Sequence, residues 1–147
     1  MYLISACLAG INCKYNGRNN LEPKIVKLIE EKKAILVCPE QLGGLTTPRL
    51  PSEIIYDENG NRKVVNIEGK DLTKEFLKGA EETLKIAKLT GAKEAILKAK
   101  SPSCGKGKIY DGQFKKILVE GNGITTDLLE KYGIKVYTEE DDIENLK

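Results

Sequence analysis

The sequence predicts an α/β domain of three layers: a mainly parallel central sheet, helices on both faces and one β-hairpin. Short apolar runs recur along the chain and alternate with longer segments of helical spacing. Their order, strand–helix–strand, hairpin, helix–strand, helix–strand, places crossover helices between parallel strands. Three of the runs also open into loops rich in Gly, Pro or Ser, as strands do at the carboxyl edge of such a sheet.

The first strand is expected over Tyr2 to Ala6. Leu21, Ile25, Leu28 and Ile29 then recur with helical spacing, with Asn20 as cap and Pro23 in the first turn, where its missing N–H costs nothing. Ala34 to Val37 forms the second strand, and Pro39 to Ser52 reads as loop. Ile54–Tyr56 and Lys63–Val65 flank an Asn59-Gly60 turn, the signature of a hairpin. Asp71 caps a long helix whose stripe is Leu72, Phe76, Ala80, Leu84 and Ala87, closed by Gly91. Ala95 to Leu97 is a buried strand. A helix carrying Leu128, Leu129 and Tyr132, capped by Thr125 or Thr126, leads to a last strand, Ile134 to Tyr137. The acidic tail from Glu139 adds a helical turn or two.

At 147 residues the chain is long enough for one domain, 1–147, with its own core. Hydrophobic residues make up 40% and charged residues 31%, which fits a globule rather than a disordered chain. Lys+Arg total 24 against 22 Asp+Glu, and the signs alternate. No basic block stands out beyond Lys98, Lys100, Lys106 and Lys108, so neither nucleic acid nor membrane is an expected partner. The start, Met1 to Cys7, lacks a charged leader and runs at once into polar residues, so the expected location is the cytoplasm, where thiols stay reduced. Oligomeric state is not legible.

The chain has no histidine and four cysteines. Ser–His–Asp triads, Cys–His pairs and mixed Cys/His zinc sites are therefore excluded. Cys7, Cys38 and Cys104 each follow an apolar run and enter a loop whose Gly or Pro frees backbone amides: Ser5-Ala6-Cys7-Leu8-Ala9-Gly10, Cys38-Pro39-Glu40 and Ser101-Pro102-Ser103-Cys104-Gly105. Thiolates without imidazole point to soft-ligand metal chemistry, iron–sulfur above all. Their spacing matches no zinc ribbon or ferredoxin, so buried structural thiols stand as the plain alternative. Cys13 lies in a polar turn beside Lys14, and its candidate roles are a fourth ligand, a resolving thiol or, the favoured one, an idle surface thiol. Glu40 can act as a base toward water, or pair with Arg49. Ser101 and Ser103 can orient a substrate, or merely shape a Ser-Pro turn. Gly105-Lys106-Gly107-Lys108 lacks the Walker spacing, and Gly121-Asn122-Gly123 lacks the third glycine of a dinucleotide fingerprint.

Together these loops resemble a family long labelled domain of unknown function 523, whose characterised members are thiouracil desulfidases. The matching pieces are Ser5-Ala6-Cys7-Leu8 with Gly10, Tyr15 and Gly17; Cys38-Pro39-Glu40 with Gly43-Gly44 and Pro48-Arg49; Asp71; and Ser101 to Gly105 with Tyr110-Asp111-Gly112 and Gly121-Asn122-Gly123. The resemblance implies a [4Fe–4S] cluster bound by Cys7, Cys38 and Cys104, with its fourth iron open as a Lewis acid, and a small thiopyrimidine as substrate. It implies water activated by Glu40 and a pyrimidine held by Ser101 or Ser103. Where this chain has Cys13, the family usually carries an aliphatic residue, so Cys13 is not among the implied ligands. The competing classes are a non-catalytic iron–sulfur or zinc protein for electron or sulfur transfer or redox sensing, and a metal-free thiol enzyme using Cys104 near Lys106.

Overall fold

The structure, a computed structural model, describes residues 1–146. β1 (Tyr2–Ser5) is followed by a 3-10 turn (Ala6–Ala9), α1 (Pro23–Glu30), β2 (Ala34–Val37) and a short α2 (Pro39–Leu42). β3 (Ser52–Tyr56) and β4 (Arg62–Asn66) lead to α3 (Thr73–Thr90) and β5 (Glu94–Leu97). β6 (Lys108–Tyr110), β7 (Leu118–Glu120), α4 (Ile124–Lys131), β8 (Lys135–Thr138) and a 3-10 turn (Ile143–Asn145) complete the described chain. No helix among the described residues is long and apolar enough to cross a membrane.

The central sheet has the order β2-β1-β5-β8, with all pairs parallel. β1 is wholly buried, and successive side chains enter opposite layers. Leu3, Ala95, Leu97 and Val136 pack with Leu84, Ala87 and Leu129 of α3 and α4. Tyr2, Ile4 and Ile96 pack with Ile25 of α1 and Ile143 of the last turn. A third cluster, Ile54, Val64, Leu72, Phe76 and Ile109, fastens the β3–β4 hairpin and β6 to the start of α3. Helices on both faces of a parallel sheet are thus what the alternation of runs predicts.

The differences have local causes. Ala6 leaves the first strand for the 3-10 turn. α1 starts at Pro23, so Leu21 stays outside it and is 54% exposed, and Asn20 does not cap it. Asp71 falls one residue before the cap position of α3, which is Leu72, and its carboxylate accepts the N–H of Thr73 at 2.8 Å. Thr125 and Thr126 lie within the first turn of α4, whose cap position is Gly123, and Tyr132 falls beyond that helix at its exposed end. The expected loop after Cys38 begins with α2. A second antiparallel ribbon, β6–β7, accompanies the hairpin; strands of three residues are too short to display a period.

Candidate active site at the carboxyl end of the sheet

The carboxyl ends of β2, β1 and β5 are neighbours, and the loops leaving them enclose a cavity of about 510 Å³. Cys7 reaches it from the 3-10 turn after β1, Cys38 from the junction of β2 with α2, and Cys104 from the loop after β5. All four cysteines are free, and all four line this cavity. Three stretches distant in sequence are thus brought together because their strands are adjacent.

Each sulfur has a distinct environment. Cys7 Sγ accepts a hydrogen bond from Asn20 Nδ2 at 3.5 Å, which gives Asn20 a role other than the expected cap. Cys13 is the largest correction to the sequence reading. It is 2% exposed rather than on the surface, and it lines the cavity with Cys7 and Cys38. The proximity of the three thiols pushes Cys13 far up, holds Cys7 down at about 7 against its burial, and lowers Cys38 as well. Cys38 Sγ also faces the Cys13 carbonyl at 3.9 Å. Burial raises the Cys104 thiol, while hydrogen bonds with Ser5 and Ser103 work the other way. Lys106, considered as an activator of Cys104, instead forms an ion pair with Glu130. A protonated, buried thiol whose expected lysine is engaged elsewhere makes a poor lone nucleophile.

Glu40 sits in the first turn of α2 and borders the cavity. Its Oε2 lies 3.3 Å from Arg49 Nη2, and the two side chains are 17% and 10% exposed. Arg49 ties the segments around it together. Nη2 donates to the Cys13 carbonyl at 3.0 Å, and Nη1 to Thr46 O at 3.2 Å and Thr47 Oγ1 at 2.9 Å. The lone arginine of the 39–52 segment therefore fixes the carboxylate beside the thiols.

Ser101 lines the cavity, and its Oγ accepts the N–H groups of Ser103 at 3.1 Å and Cys104 at 2.9 Å. Its own proton remains to donate. Ser103, expected beside a substrate, lies elsewhere: it is 1% exposed, with its hydroxyl 2.8 Å from Thr125 Oγ1. Thr126 Oγ1 donates to Cys104 O at 2.8 Å, and Gly123 N to Gly105 O at 2.8 Å, so α4 carries the Cys104 loop. A Cβ on Gly123 would stand 2.4 Å from the Ser103 carbonyl, which explains a glycine there.

The lysines near the third loop are largely neutralised by partners. Lys98 Nζ meets Glu139 at 2.6 Å and Lys100 Nζ meets Glu140 at 3.3 Å, so the acidic tail, besides its helical turn at Ile143–Asn145, also pairs with the lysines at the site. Glu53, Tyr110 and Phe114 also line the cavity, although the residue-level reading assigned them no role. Nothing local in the sequence marks Glu53 or Phe114; only Tyr110 belongs to the matching pieces. Among the described residues, no three His, Cys, Asp or Glu side chains converge closely enough to hold a single metal ion.

Comparison with known proteins agrees with this fold. A family model for 2-thiouracil desulfurases matches residues 2–141. The uncharacterized protein YbbK of Bacillus subtilis (strain 168) is 46% identical over 144 residues, covering 95% of each chain. The solved structure of the [4Fe–4S]-dependent thiouracil desulfidase TudS (DUF523Vcz) matches at a TM-score of 0.88 and 39% identity, over 97% of this chain and 93% of that one. A match that runs through all three cysteine loops, with the fold carried along, makes this chain a member of the 2-thiouracil desulfurase family.

Proposed function

We propose that the protein is an iron–sulfur-dependent desulfidase that converts a thiolated pyrimidine, 2-thiouracil in the simplest case, to its carbonyl form plus sulfide, with a [4Fe–4S] cluster held by Cys7, Cys38 and Cys104. The observation that carries this reading is three thiols from three adjacent strand ends lining one cavity, with the Arg49-held carboxylate of Glu40 beside them. The donor set fits the group. It is all sulfur, without imidazole, and Asn20 Nδ2 donates a hydrogen bond to the sulfur of Cys7. A single zinc ion needs every sulfur at about 2.3 Å from one point, whereas a four-iron cluster takes its thiolates at separate corners. When bound through three thiolates, such a cluster supplies one open iron, a Lewis acid for a thiocarbonyl sulfur.

The chain's own residues do the rest. Glu40 takes the proton of a water aimed at the carbon that bears sulfur, and Arg49 holds its carboxylate in place. Ser101 donates its remaining proton to the pyrimidine as negative charge develops there. Ser103 holds the loop from behind through Thr125. Thiouracil and water become uracil and hydrogen sulfide, with no net electron transfer.

One observation favours a second reading. Cys13 lies inside the cavity beside Cys7 and Cys38, so four thiols could saturate a cluster and leave a carrier of electrons or sulfur. A single experiment separates the two. After anaerobic reconstitution, Cys7→Ala, Cys38→Ala and Cys104→Ala should each lose the cluster absorbance and sulfide release from 2-thiouracil, whereas Cys13→Ala should keep both. Loss of the cluster in Cys13→Ala makes all four thiols ligands and favours the carrier.

A further inference from the structure

Beside the thiols, one cavity wall is built by an unusual loop. Residues 111–117 join β6 to β7 and are closed by Asp111 N donating to Ile117 O at 2.9 Å. Within it Gly112, Phe114 and Lys116 have φ of +94°, +59° and +60°; two of these are side chains in the left-handed region that L-residues seldom adopt. The loop lies directly on β3, since a Cβ on Gly112 would stand 2.7 Å from Ile54 O. Its anchor is Glu53, a carboxylate only 8% exposed, whose Oε1 accepts Gly112 N at 2.9 Å and Phe114 N at 3.2 Å. Burying an ionisable side chain to hold two main-chain N–H groups is costly unless the segment must stay in place. That placement sets Phe114, together with Lys116, in the cavity lining, and Phe114 is the aromatic residue the loop contributes there.

We propose that Phe114, held by the Glu53 clamp on its backbone, is the aromatic wall on which the substrate's pyrimidine ring stacks, making Phe114 a specificity determinant and Glu53 its positioning residue. The inference rests on the reading of this cavity as the thiopyrimidine site and adds how the ring is recognised. A planar heteroaromatic offers a π-face to Phe114 whichever substituents it carries, so stacking selects ring shape while the thiols select sulfur.

The test uses anaerobically reconstituted protein with two probes, 2-thiouracil for turnover and uracil for binding by calorimetry. Phe114→Ala should raise KM for 2-thiouracil and weaken uracil binding by about tenfold or more, the order that one base stacked on one ring supplies. Its kcat should fall far less, and its cluster absorbance should match the unsubstituted protein. Phe114→Tyr, which keeps the ring, should restore both affinities. Glu53→Ala should reproduce the Phe114→Ala pattern, and Glu53→Gln, whose amide oxygen still accepts the two N–H groups, should not. Unchanged KM and uracil affinity in Phe114→Ala, or a loss confined to kcat, overturns the proposal. If the unsubstituted protein binds uracil but does not turn over 2-thiouracil, the desulfidase reading fails while the uracil arm still decides this one. If it binds neither, both fall.

Discussion

Single residues at this site act through what their neighbours leave them free to do. Glu40 shows this most directly. Arg49 occupies one of its carboxylate oxygens, and Arg49 is itself held by three other acceptors, so the pair cannot swing away from the thiols. Replacing Glu40 by Gln keeps an acceptor for Arg49 and removes only the ability to take a proton. Glu40→Gln should therefore leave the cluster spectrum and thermal stability near those of the unsubstituted protein, while turnover falls about 10²-fold or more, the usual contribution of a general base. Sulfide release measured on fully loaded protein checks it; unchanged turnover would remove Glu40 from the chemistry. The residue scale is also where the sequence was least legible. Cys13 sits among Asn12, Lys14 and Asn16, which reads as a solvated turn, yet it is buried and lines the cavity with Cys7 and Cys38. Local polarity reports where a backbone runs, not which way one small side chain points. Ser103 misled for the same reason. Its neighbours Ser101 and Cys104 border the cavity, but its own hydroxyl faces Thr125, a partner that only the docking of α4 supplies.

At the scale of elements, the site depends on how short pieces are held against long ones. α2 has only four residues, Pro39–Leu42, too few to be stable alone, yet it carries Glu40 and follows Cys38. It is kept in place by backbone contact with α3. A Cβ on Gly79 would stand 1.9 Å from Pro39 O, and one on Gly43 2.0 Å from Glu75 O. These glycines are there for close approach, since Gly43 has an ordinary helical φ of −80°. Gly79 lies in the interior of α3, where alanine would by propensity gain about 1 kcal/mol. The clash must reverse that sign, because rigid backbone cannot yield as a side chain does. Gly79→Ala should thus lower the melting temperature by several degrees, at about 2–4 °C per kcal/mol for a chain of this size. It should also reduce cluster retention by displacing Cys38. Lys78→Ala, on the exposed side of the same turn, should do neither. A stabilised Gly79→Ala would show that α2 is not seated this way. From the sequence Gly79 is a blemish in a good helix, and its meaning appears only with the partner helix.

At the scale of the whole molecule, the fold was readable because it follows from repetition: the stripe Leu72, Phe76, Ala80, Leu84 and Ala87 is buried as its spacing demands, and β2 spans Ala34 to Val37 as its apolar run does. The site's general position was also readable, since strand-end loops of a parallel sheet gather at one edge. What the chain order hid is which strands are neighbours. Sequence gives β1, β2 and β5 no special relation, and the order β2-β1-β5 is what sets Cys7 between Cys38 and Cys104. That arrangement has a consequence for stability. Cys7 and Cys104 lie 97 positions apart, so a cofactor bound by both, and by Cys38, ties distant segments together. In the chain-entropy picture a cross-link closing a loop of about 100 residues stabilises by up to about 4.7 kcal/mol through the unfolded state. Coordination that exists only in the folded state adds to this by mass action. Cluster-loaded protein should therefore melt on the order of 10 °C above the cluster-free form. The gap should close when the iron is chelated, and it should be absent in Cys104→Ala, whose remaining thiols no longer span β1 and β5. Anaerobic calorimetry of the two forms measures it directly. Equal melting temperatures for a fully loaded and a stripped sample would mean that the cofactor does not bridge the strand ends, and the three-thiol assignment would fall with that result.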